Sequence, residues 1–263
     1  MGRVIAVANQ KGGVGKTTTC INLAASLVAT RRHVLLVDLD PQGNATTGSG
    51  IDKLDLEYSV LDVLTGQASL VDAMQFSEQC GYQILPSNRD LTAAEVVLLD
   101  LPRREMRLLD ALEPVRGNYD YILIDCPPSL NMLTINALVA ADSVIIPMQC
   151  EYYALEGLTD LLGSIRRITA DLNPGLQIEG ILRTMYDPRL SLTMDVTAQL
   201  REHFGEQLFD TVIPRNVRLA EAPSHGMAVL GYDKQSKGAL AYLALAGELS
   251  RRQRARQRTG ANR

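Results

Sequence analysis

The chain has 263 residues, of which 46% are hydrophobic, enough for one large α/β domain with a full core. Trp is absent and aromatic residues make up only 5%, which argues against extensive stacking on nucleic-acid bases. No apolar run approaches the roughly 18 residues that a membrane span needs. There is no CxxC pair and no signal peptide, so we expect reduced thiols in a cytosolic protein at Cys20, Cys80, Cys126 and Cys150.

The net charge of −4 is distributed unevenly along the chain. Residues 251–263 contain six arginines and no acidic residue, and subtracting these six charges leaves residues 1–250 at −10. The sequence therefore predicts a single domain over residues 1–250 and a flexible basic C-terminal tail over residues 251–263. A tail of this kind fits a solubilising terminus and a phosphate-attracting arm equally well.

Short β-rich runs alternate with helical patterns along the chain, and no repeat or linker divides them. Several runs, such as YILID and SVIIPM, are continuously apolar, as expected for parallel strands that are covered on both faces. This alternation predicts an α/β fold with a doubly wound, mainly parallel sheet flanked by helices. The predicted strands are Arg3–Ala8, His33–Asp38, Tyr82–Pro86, Tyr119–Asp125, Ser143–Met148, Ile178–Met185 and Thr211–Pro214, and the predicted helices include Thr17–Ala29, Leu91–Leu112, Leu130–Ala140 and Ala154–Asp171.

Polar or Gly/Pro-rich segments follow the carboxyl ends of six predicted strands. In parallel α/β sheets, ligands bind beyond the carboxyl ends of the strands. All six segments fall on that edge, where we therefore expect the functional site. The segments are NQKGGVGKTTT, DLDPQGN, DCPPS, PMQCE, RTMYDPR and PRNVRLAEAPS.

The first of these segments has the form of a phosphate-binding loop, because it follows a strand and opens a helix. Its glycines let backbone N–H groups turn toward phosphate oxygens, and the helix start adds a positive dipole end. We expect Lys16 to reach the β- and γ-phosphates and the Thr17 hydroxyl to bind Mg²⁺. The predicted nucleotide-binding residues of the loop are Lys11, Gly12, Gly13, Val14, Gly15, Lys16, Thr17 and Thr18.

Carboxylates close two of the predicted strands. Asp125 ends an apolar strand and is expected to hold Mg²⁺ through water, since this ion keeps several of its waters in proteins. An acid that caps the following helix is the alternative. Asp38 and Asp40 lie on the same side of the second strand, and Pro41 keeps Asp40 extended. We expect Asp38 to be an outer group of the site.

The chain resembles the ParA/Soj group of partition ATPases over nearly its whole length. The resemblance runs from VIAVANQKGGVGKTTT through DLDPQGNATTGSG, YDYILIDCPPSL and IIPMQCEYYALEGL to VIPRNVRLAEAPS and YDKQSKGALAYLALAGEL. Gln10 replaces the first glycine of the usual P-loop and Lys11 follows it, as in the variant loop of ParA, MinD and the nitrogenase iron protein. The resemblance implies a P-loop NTPase fold, ATP and Mg²⁺ as cofactors, and an ATP-dependent homodimer in which Lys11 reaches the partner's nucleotide. From the residues alone, Lys11 is an extra cation near the phosphates or a solvated lysine.

The resemblance also assigns roles at the reacting end and the base end of the nucleotide. It implies that Asp40 orients the attacking water, so that the predicted catalytic residues are Lys11, Lys16 and Asp40. One placed carboxylate can suffice for phosphoryl transfer, although a metal-linked or structural role for Asp40 stays open. Pro214 and Asn216 are implied to contact adenine. The Asn216 amide suits a purine edge, and a simple turn after a strand is the alternative.

Basic residues in loops near the same edge match positions that ParA proteins use against DNA. Each of them alone also fits a solvated surface charge. No helix-turn-helix pattern precedes the phosphate loop, so we expect contacts to the phosphates of double-stranded DNA without base readout. The resemblance further implies a ParB-type centromere-binding partner that stimulates hydrolysis, and association with the nucleoid. The predicted DNA-binding residues are Arg189, Arg215, Arg218, Lys234 and Lys237.

Three alternatives remain open from the sequence. A MinD-like membrane switch needs an apolar face on a C-terminal helix, and residues 251–263 contain no Leu, Ile, Val, Phe, Trp or Met, so we expect no membrane partner. An iron protein needs cluster thiolates, and Cys126 and Cys150 fit buried small residues better. A P-loop kinase needs an acceptor pocket, which the sequence does not reveal.

Overall fold

The computed structural model describes residues 2–152 and 154–260, and over these residues one mixed sheet is flanked by helices. The strands are β1 Arg3–Val7, β2 Val34–Asp38, β3 Gln75–Ser77, β4 Tyr82–Leu85, β5 Tyr121–Asp125, β6 Ser143–Gln149 and β7 Gln177–Thr184. The α-helices are α1 Lys16–Ala29, α2 Asn44–Gly48, α3 Val60–Thr65, α4 Leu70–Ala73, α5 Ala94–Val97, α6 Arg107–Leu112, α7 Met132–Ala140, α8 Ala154–Asp171, α9 Ser191–Phe204, α10 Val217–Glu221, α11 Val229–Tyr232 and α12 Lys237–Gly260.

The sheet has the order β3-β4-β2-β5-β1-β6-β7, and the predicted doubly wound α/β fold is confirmed. All neighbouring strands are parallel except β3, which pairs with β4 in the antiparallel direction at one edge. The central register sets Val7 and Asp38 on either side of Asp125. Three loops that follow β1, β2 and β5 therefore begin at the same level of the sheet.

Alternating residues of the central strands supply two hydrophobic cores, one on each face of the sheet. In β5, Ile122 and Ile124 join the core that contains α6, α7 and α8, whereas Tyr121 and Leu123 join the core that contains α1 and α12. Burial on both faces explains why YILID is continuously apolar. The two cores support the sheet from both faces, and a precise site on its loops requires such support.

The predicted helix over Leu91–Leu112 is wrong as a single element. The segment divides into short helical turns at Arg89–Ala93, Leu98–Asp100 and Arg104–Met106 in addition to α5 and α6. The break lies at Leu101, which is extended (φ −91°, ψ 142°) because Pro102 disfavours helical geometry in the residue before it. Arg103 then takes a left-handed φ of 53° before the chain resumes a helical course.

The predicted strand over Thr211–Pro214 is also wrong. Residues 208–214 run beside β7 and make only isolated parallel bridges, at Leu208 and at Pro214. Hydrogen bonds from Ile213 N to Arg183 O and from Tyr186 N to Ile213 O hold the segment in place. Pro214 has no N–H to donate, so a regular ladder cannot continue through it.

The boundary predicted between residues 250 and 251 falls inside α12, which continues to Gly260. Arginine, alanine and glutamine favour helix, so RRQRARQR extends the preceding helical run. Arg252 pairs with Glu248 at 2.7 Å and Arg256 pairs with the buried Glu179 at 2.8 Å, which fastens this part of α12 to the domain. Residues 261–263 of the predicted tail lie outside the described residues. Over the described ranges, no helix has the length and apolar character required to cross a bilayer.

Candidate functional site

The loop between β1 and α1 has the backbone geometry that its glycines make possible. Gly13 and Gly15 have φ values of 73° and 89°, in the left-handed region that other residues adopt at a cost. A Cβ atom built on Gly12 or Gly13 would meet no atom within 4 Å, so the loop has an open side there. α1 begins at Lys16, directly after the turn at Gly15, and the start of this helix faces the loop. This arrangement supplies the backbone donors of an anion site.

Side chains at the ends of β6 and β7 fix the loop from behind. The Thr184 hydroxyl donates to Val14 O at 2.8 Å, and the Gln149 amide donates to Gly13 O at 3.2 Å. Asn9 donates to Pro147 O at 2.7 Å and accepts from Lys11 N at 2.9 Å. Sequence reasoning singled out the segments PMQCE and RTMYDPR but assigned no role to Gln149 or Thr184. Their position at strand ends next to the loop was the available signal.

Lys16 is a buried lysine whose ammonium group points back into the loop. The residue is 7% exposed, and Nζ donates to Lys11 O at 3.2 Å. Burial lowers the pKa of Lys16, and the nearby carboxylates of Asp125 and Asp40 oppose this change. The ammonium group therefore lies between the loop and two acids, where it can neutralise a bound anion.

Asp125 and Asp38 form a buried pair of carboxyl groups on neighbouring strands. Burial raises the pKa of Asp125 to about 8, the charge of Asp38 adds to this effect, and Thr17 and Lys16 oppose it. Asp125 Oδ2 has no hydrogen-bond partner within the described part of the chain, and Oδ1 accepts a weak bond from Cys20 Sγ at 3.6 Å. An unpartnered buried carboxylate oxygen is costly and is expected where a cation or its water completes the site.

Asp38 differs from Asp125 because hydrogen bonds satisfy both of its carboxylate oxygens. Oδ2 accepts from the backbone N and the hydroxyl of Thr46, each at 2.8 Å, and Oδ1 accepts from Asp40 N at 3.1 Å. Burial raises the pKa of Asp38 to about 6, and the bonds from Thr46 oppose the rise. Asp38 therefore holds neighbouring backbone in place and does not face the loop as a free acid.

Asp40 lies in the turn after β2 and is partly exposed. Its Oδ1 accepts from Gln42 N at 2.9 Å, and its charge acts on both Lys16 and Asp125. The structure thus brings Lys16, Asp40 and Asp125 to one edge of the sheet, as the sequence predicted from strand ends. A carboxylate here can accept a hydrogen bond from a water molecule beside an anion in the loop.

Lys11 stands apart from this buried group, on the exposed side of the loop. Its side chain is 50% exposed and forms an ion pair with Glu151, whose side chain is 49% exposed. Glu151 follows β6, so the pair spans two loops of the same edge. An ion pair at this exposure is weak and can be exchanged for another anion.

Pro214 and Asn216 line a cavity of about 340 Å³ that opens beside the loop. Gly15 and Thr18 line the same cavity, which joins the predicted base-contacting residues to the phosphate loop. Asn216 Oδ1 accepts from Arg218 N at 3.0 Å and caps α10, so the residue has a local role as well. Arg215, predicted as a DNA-binding residue, lines the cavity as well. Sequence reasoning missed the remaining lining residues, which are Thr184, Met185, Ile213, Val217, Leu219, Ala220 and Tyr242.

The five predicted DNA-binding residues lie in two exposed groups near this cavity. Arg189 binds Asp187 at 2.7 Å, and Arg215 acts on the same carboxylate. Arg218 binds Glu221 at 2.7 Å and approaches Asp233 at 3.4 Å, beside the exposed Lys234 and Lys237. Three carboxylates thus offset part of the charge of five cations. The structure therefore shows two separate groups of cations, and carboxylates pair with Arg189 in one group and with Arg218 in the other.

The donor set at Thr17 and Asp125 fits Mg²⁺ held partly by phosphate and water. Across residues 2–152 and 154–260, no group of three or more His, Cys, Asp or Glu side chains is arranged as a metal cage. Mg²⁺ commonly binds one or two protein oxygens, and its remaining ligands are waters and substrate phosphates. All four cysteines are buried, which is unfavourable for thiolate ligands on an exposed surface.

Comparison with known proteins agrees with this geometry. A family model described as an AAA domain matches residues 2–178. The chromosome partitioning protein ParA of Caulobacter vibrioides is 53% identical over 257 residues, which cover 97% of this chain and 96% of that protein. The sporulation initiation inhibitor protein Soj of Bacillus subtilis is 52% identical over 250 residues, with coverages of 95% and 99%.

A solved structure extends the likeness to the whole fold. Cobyrinic acid a,c-diamide synthase from Mycobacterium smegmatis, with bound ATP analog and magnesium, superimposes with a TM-score of 0.85 at 40% identity. The match covers 97% of this chain and 96% of that chain. With the phosphate loop, the buried Lys16 and the carboxyl-edge acids in place, the chain is a P-loop ATPase that belongs to the ParA/Soj family of partitioning ATPases.

Proposed function

We propose that this partitioning ATPase is a nucleotide-switched homodimer that binds double-stranded DNA without sequence preference when it holds ATP. Hydrolysis, stimulated by a ParB-type centromere-binding protein, releases it from the nucleoid. The observation that carries the proposal is the position of Lys11. Its ammonium group is half exposed at the rim of the phosphate loop and pairs with an equally exposed Glu151, so a second copy can reach it.

The loop residues bind the triphosphate of ATP in this proposal. Backbone N–H groups of residues 12–18 surround the phosphates, and Lys16 places its positive charge against the β- and γ-phosphates. Thr17 and Asp125 hold Mg²⁺, directly or through water. When bound, Mg²⁺ neutralises the charge of the phosphate oxygens. Pro214 and Asn216 contact the adenine in the adjoining cavity.

Asp40 acts as the acid that orients the attacking water. Its carboxylate is partly exposed and lies close enough to Lys16 to influence the pKa of that lysine. Both oxygens of the buried Asp38 already accept hydrogen bonds, and Asp125 is assigned to Mg²⁺, so neither is free to orient the attacking water. Because phosphoryl transfer depends mainly on positioning and charge neutralisation, one oriented carboxylate can be sufficient.

Dimerisation makes DNA binding depend on nucleotide through the number of phosphate contacts. About three phosphate contacts per monomer would lose roughly 40-fold in affinity between 50 and 200 mM salt, and six on a dimer would lose roughly a thousandfold. The pairing of Arg189 with Asp187 and of Arg218 with Glu221 reduces the charge available to a monomer. We therefore expect measurable DNA binding mainly from the ATP-bound dimer.

The proposal is tested by size-exclusion chromatography with light scattering and by duplex DNA-shift assays, with ADP, with ATP and with a slowly hydrolysed ATP analog. Wild type should be monomeric with ADP, and it should dimerise and bind DNA with ATP or the analog. The slope of log affinity against log salt should steepen when ATP is added. A protein that stays monomeric and ignores duplex at saturating ATP and magnesium contradicts the proposal.

Two variants separate the steps of the switch. Lys16→Ala should lose ATP binding, and with it both dimerisation and DNA binding. Lys234→Ala, at an exposed position outside the cavity lining, should bind ATP and dimerise normally but bind DNA more weakly on every sequence, because it removes a phosphate contact. Stimulation of hydrolysis by a purified ParB-type protein, with and without DNA, then tests the partner.

A further inference from the structure

A chain of buried hydrogen bonds connects the end of β4 to the turn that carries Asp40. Ser87 N donates to Thr46 Oγ1 at 2.9 Å, and the Thr46 hydroxyl donates to Asp38 Oδ2 at 2.8 Å. Asp38 Oδ1 in turn accepts from Asp40 N at 3.1 Å. Ser87, Thr46 and Asp38 are each 0% exposed. Low-dielectric surroundings strengthen such bonds and make an unpaired member costly.

Ser87 also contacts Asp40 directly, at its backbone carbonyl group. The Ser87 hydroxyl donates to Asp40 O at 2.9 Å, and Gly43 N donates to that oxygen at 2.8 Å. Both backbone polar groups of Asp40 are thus held, the N–H by Asp38 and the carbonyl by Ser87 and Gly43. The Asp40 carboxylate accepts one local bond, from Gln42 N to Oδ1, and its charge acts on Lys16.

Close packing adds a steric restraint to this turn. A Cβ atom on Gly43, whose φ is 60°, would lie 2.6 Å from Ser87 O, so the turn rests directly against the end of β4. Lys53 also donates to Gln42 O at 2.6 Å from the exposed side. The turn is therefore restrained by buried bonds beneath it and by one lysine above it.

We infer that Thr46 and Ser87 are positioning residues for ATP hydrolysis, because they fix the backbone of Asp40 through hydrogen bonds to Asp38 and to the Asp40 carbonyl. The inference rests on the proposed role of Asp40 as the acid that orients the attacking water. A reacting group misplaced by about 1 Å can cost roughly a hundredfold in rate, whereas nucleotide binding depends on the separate loop after β1. Loss of the chain should therefore lower kcat and leave ATP affinity nearly unchanged.

The test uses single-turnover hydrolysis, ATP affinity by calorimetry and thermal unfolding for Thr46→Val, Ser87→Ala and Thr46→Ser in the full chain. We expect kcat to fall about 10- to 100-fold in Thr46→Val and in Ser87→Ala, with the dissociation constant of ATP within about twofold of wild type. Thr46→Ser keeps the hydroxyl and should restore most of the rate. If Thr46→Val does not fold, kcat and ATP affinity of Ser87→Ala, which removes only one hydroxyl group, test the inference by themselves.

Ser49→Ala is the matched control, since it also removes a buried hydroxyl, whose 2.7 Å hydrogen bond to Tyr82 lies outside the chain of bonds that reaches Asp40. It should retain the wild-type rate even if its melting temperature falls. Normal kcat in Ser87→Ala and Thr46→Val, or a loss in Ser49→Ala as large as theirs, overturns the inference.

Asp40→Ala separates this inference from the proposed function. If Asp40→Ala hydrolyses ATP at the wild-type rate, the proposed role of Asp40 fails. If Asp40→Ala is inactive while Ser87→Ala and Thr46→Val are fully active, only the positioning role fails. If Asp40 orients the water and Thr46 positions Asp40, adding Thr46→Val to Asp40→Ala should produce no further loss of rate.

Discussion

Asp38 and Asp125 occupy paired register positions on the parallel strands β2 and β5, and both carboxyl groups are fully buried. Their environments nevertheless differ. Asp38 accepts bonds from Thr46 and Asp40, whereas one oxygen of Asp125 has no partner among the described residues. The pair therefore combines a structural acid with an acid that is available to a ligand.

This difference predicts that Asp125 opposes the stability of the nucleotide-free protein at neutral and higher pH. Its folded pKa is raised to about 8, above the ordinary 3.8, so the folded state binds the proton more tightly than the unfolded state. The resulting stabilisation is complete below about pH 4 and is lost as pH rises to about 8. Asparagine carries no charge at any of these pH values, so the unfolding free energy of Asp125→Asn minus that of wild type should grow with pH. We expect this difference to increase by on the order of 1–2 kcal/mol between pH 6 and pH 8. Denaturant titrations of both proteins without nucleotide at each pH measure this gap, and a gap independent of pH contradicts the prediction.

Lys11 and Glu151 should differ in their effect on assembly. Lys11→Ala should bind ATP as a monomer but fail to dimerise, because it removes the charge proposed to reach the partner's nucleotide. Glu151→Gln removes the anion of an exposed pair, so it should change the unfolding free energy by less than about 1 kcal/mol and increase the exposure of Lys11. Light scattering with a slowly hydrolysed ATP analog compares the variants. Full dimerisation of Lys11→Ala would show that another group joins the two copies.

Asn216 is expected to affect both the base site and the start of α10. Asn216→Asp keeps a side-chain oxygen that can cap the helix at Arg218 N but loses the amide donor of a residue that lines the cavity. It should therefore retain the melting temperature and lose roughly tenfold in ATP affinity. Asn216→Ala removes the capping oxygen and the amide, so both its melting temperature and its ATP affinity should fall. Calorimetry and thermal unfolding distinguish these results, and wild-type ATP affinity in Asn216→Asp would exclude a base contact through the amide.

The arginines of α12 should divide into a structural and an electrostatic group. Arg252 donates to Leu208 O at 2.7 Å, pairs with Glu248 and lies 4.4 Å from the centre of the Phe209 ring. Arg252→Ala should destabilise the protein by about 2 kcal/mol through lost packing and hydrogen bonds. Arg254 is exposed, so Arg254→Ala should leave stability within about 0.5 kcal/mol and weaken DNA binding slightly. Equal stability of the two variants would contradict this division.

The sequence alone determined the fold class and the edge of the sheet that carries the site. Continuous apolar strands indicate burial on both faces, and glycine, lysine, threonine and aspartate at their carboxyl ends indicate phosphate and magnesium chemistry. These signals are local in the chain, which is why residue pattern was sufficient to identify the segments containing Lys16, Asp40 and Asp125. The two wrong predictions overlooked a signal that is also local, the prolines at positions 102 and 214, which interrupt a helix and a strand ladder.

Only the tertiary structure decided which side chains hold the site in place. Thr184 fixes the phosphate loop from the end of β7. Ser87, which follows β4, and Thr46, in α2, fix the Asp40 turn. None of these residues is distinctive in the sequence, because serine and threonine are common at strand and helix ends. The bonds from Thr184 to Val14, from Ser87 to Thr46 and from Ser87 to Asp40 join residues 170, 41 and 47 positions apart in the chain. Packing of the sheet creates these contacts, and local pattern cannot encode them.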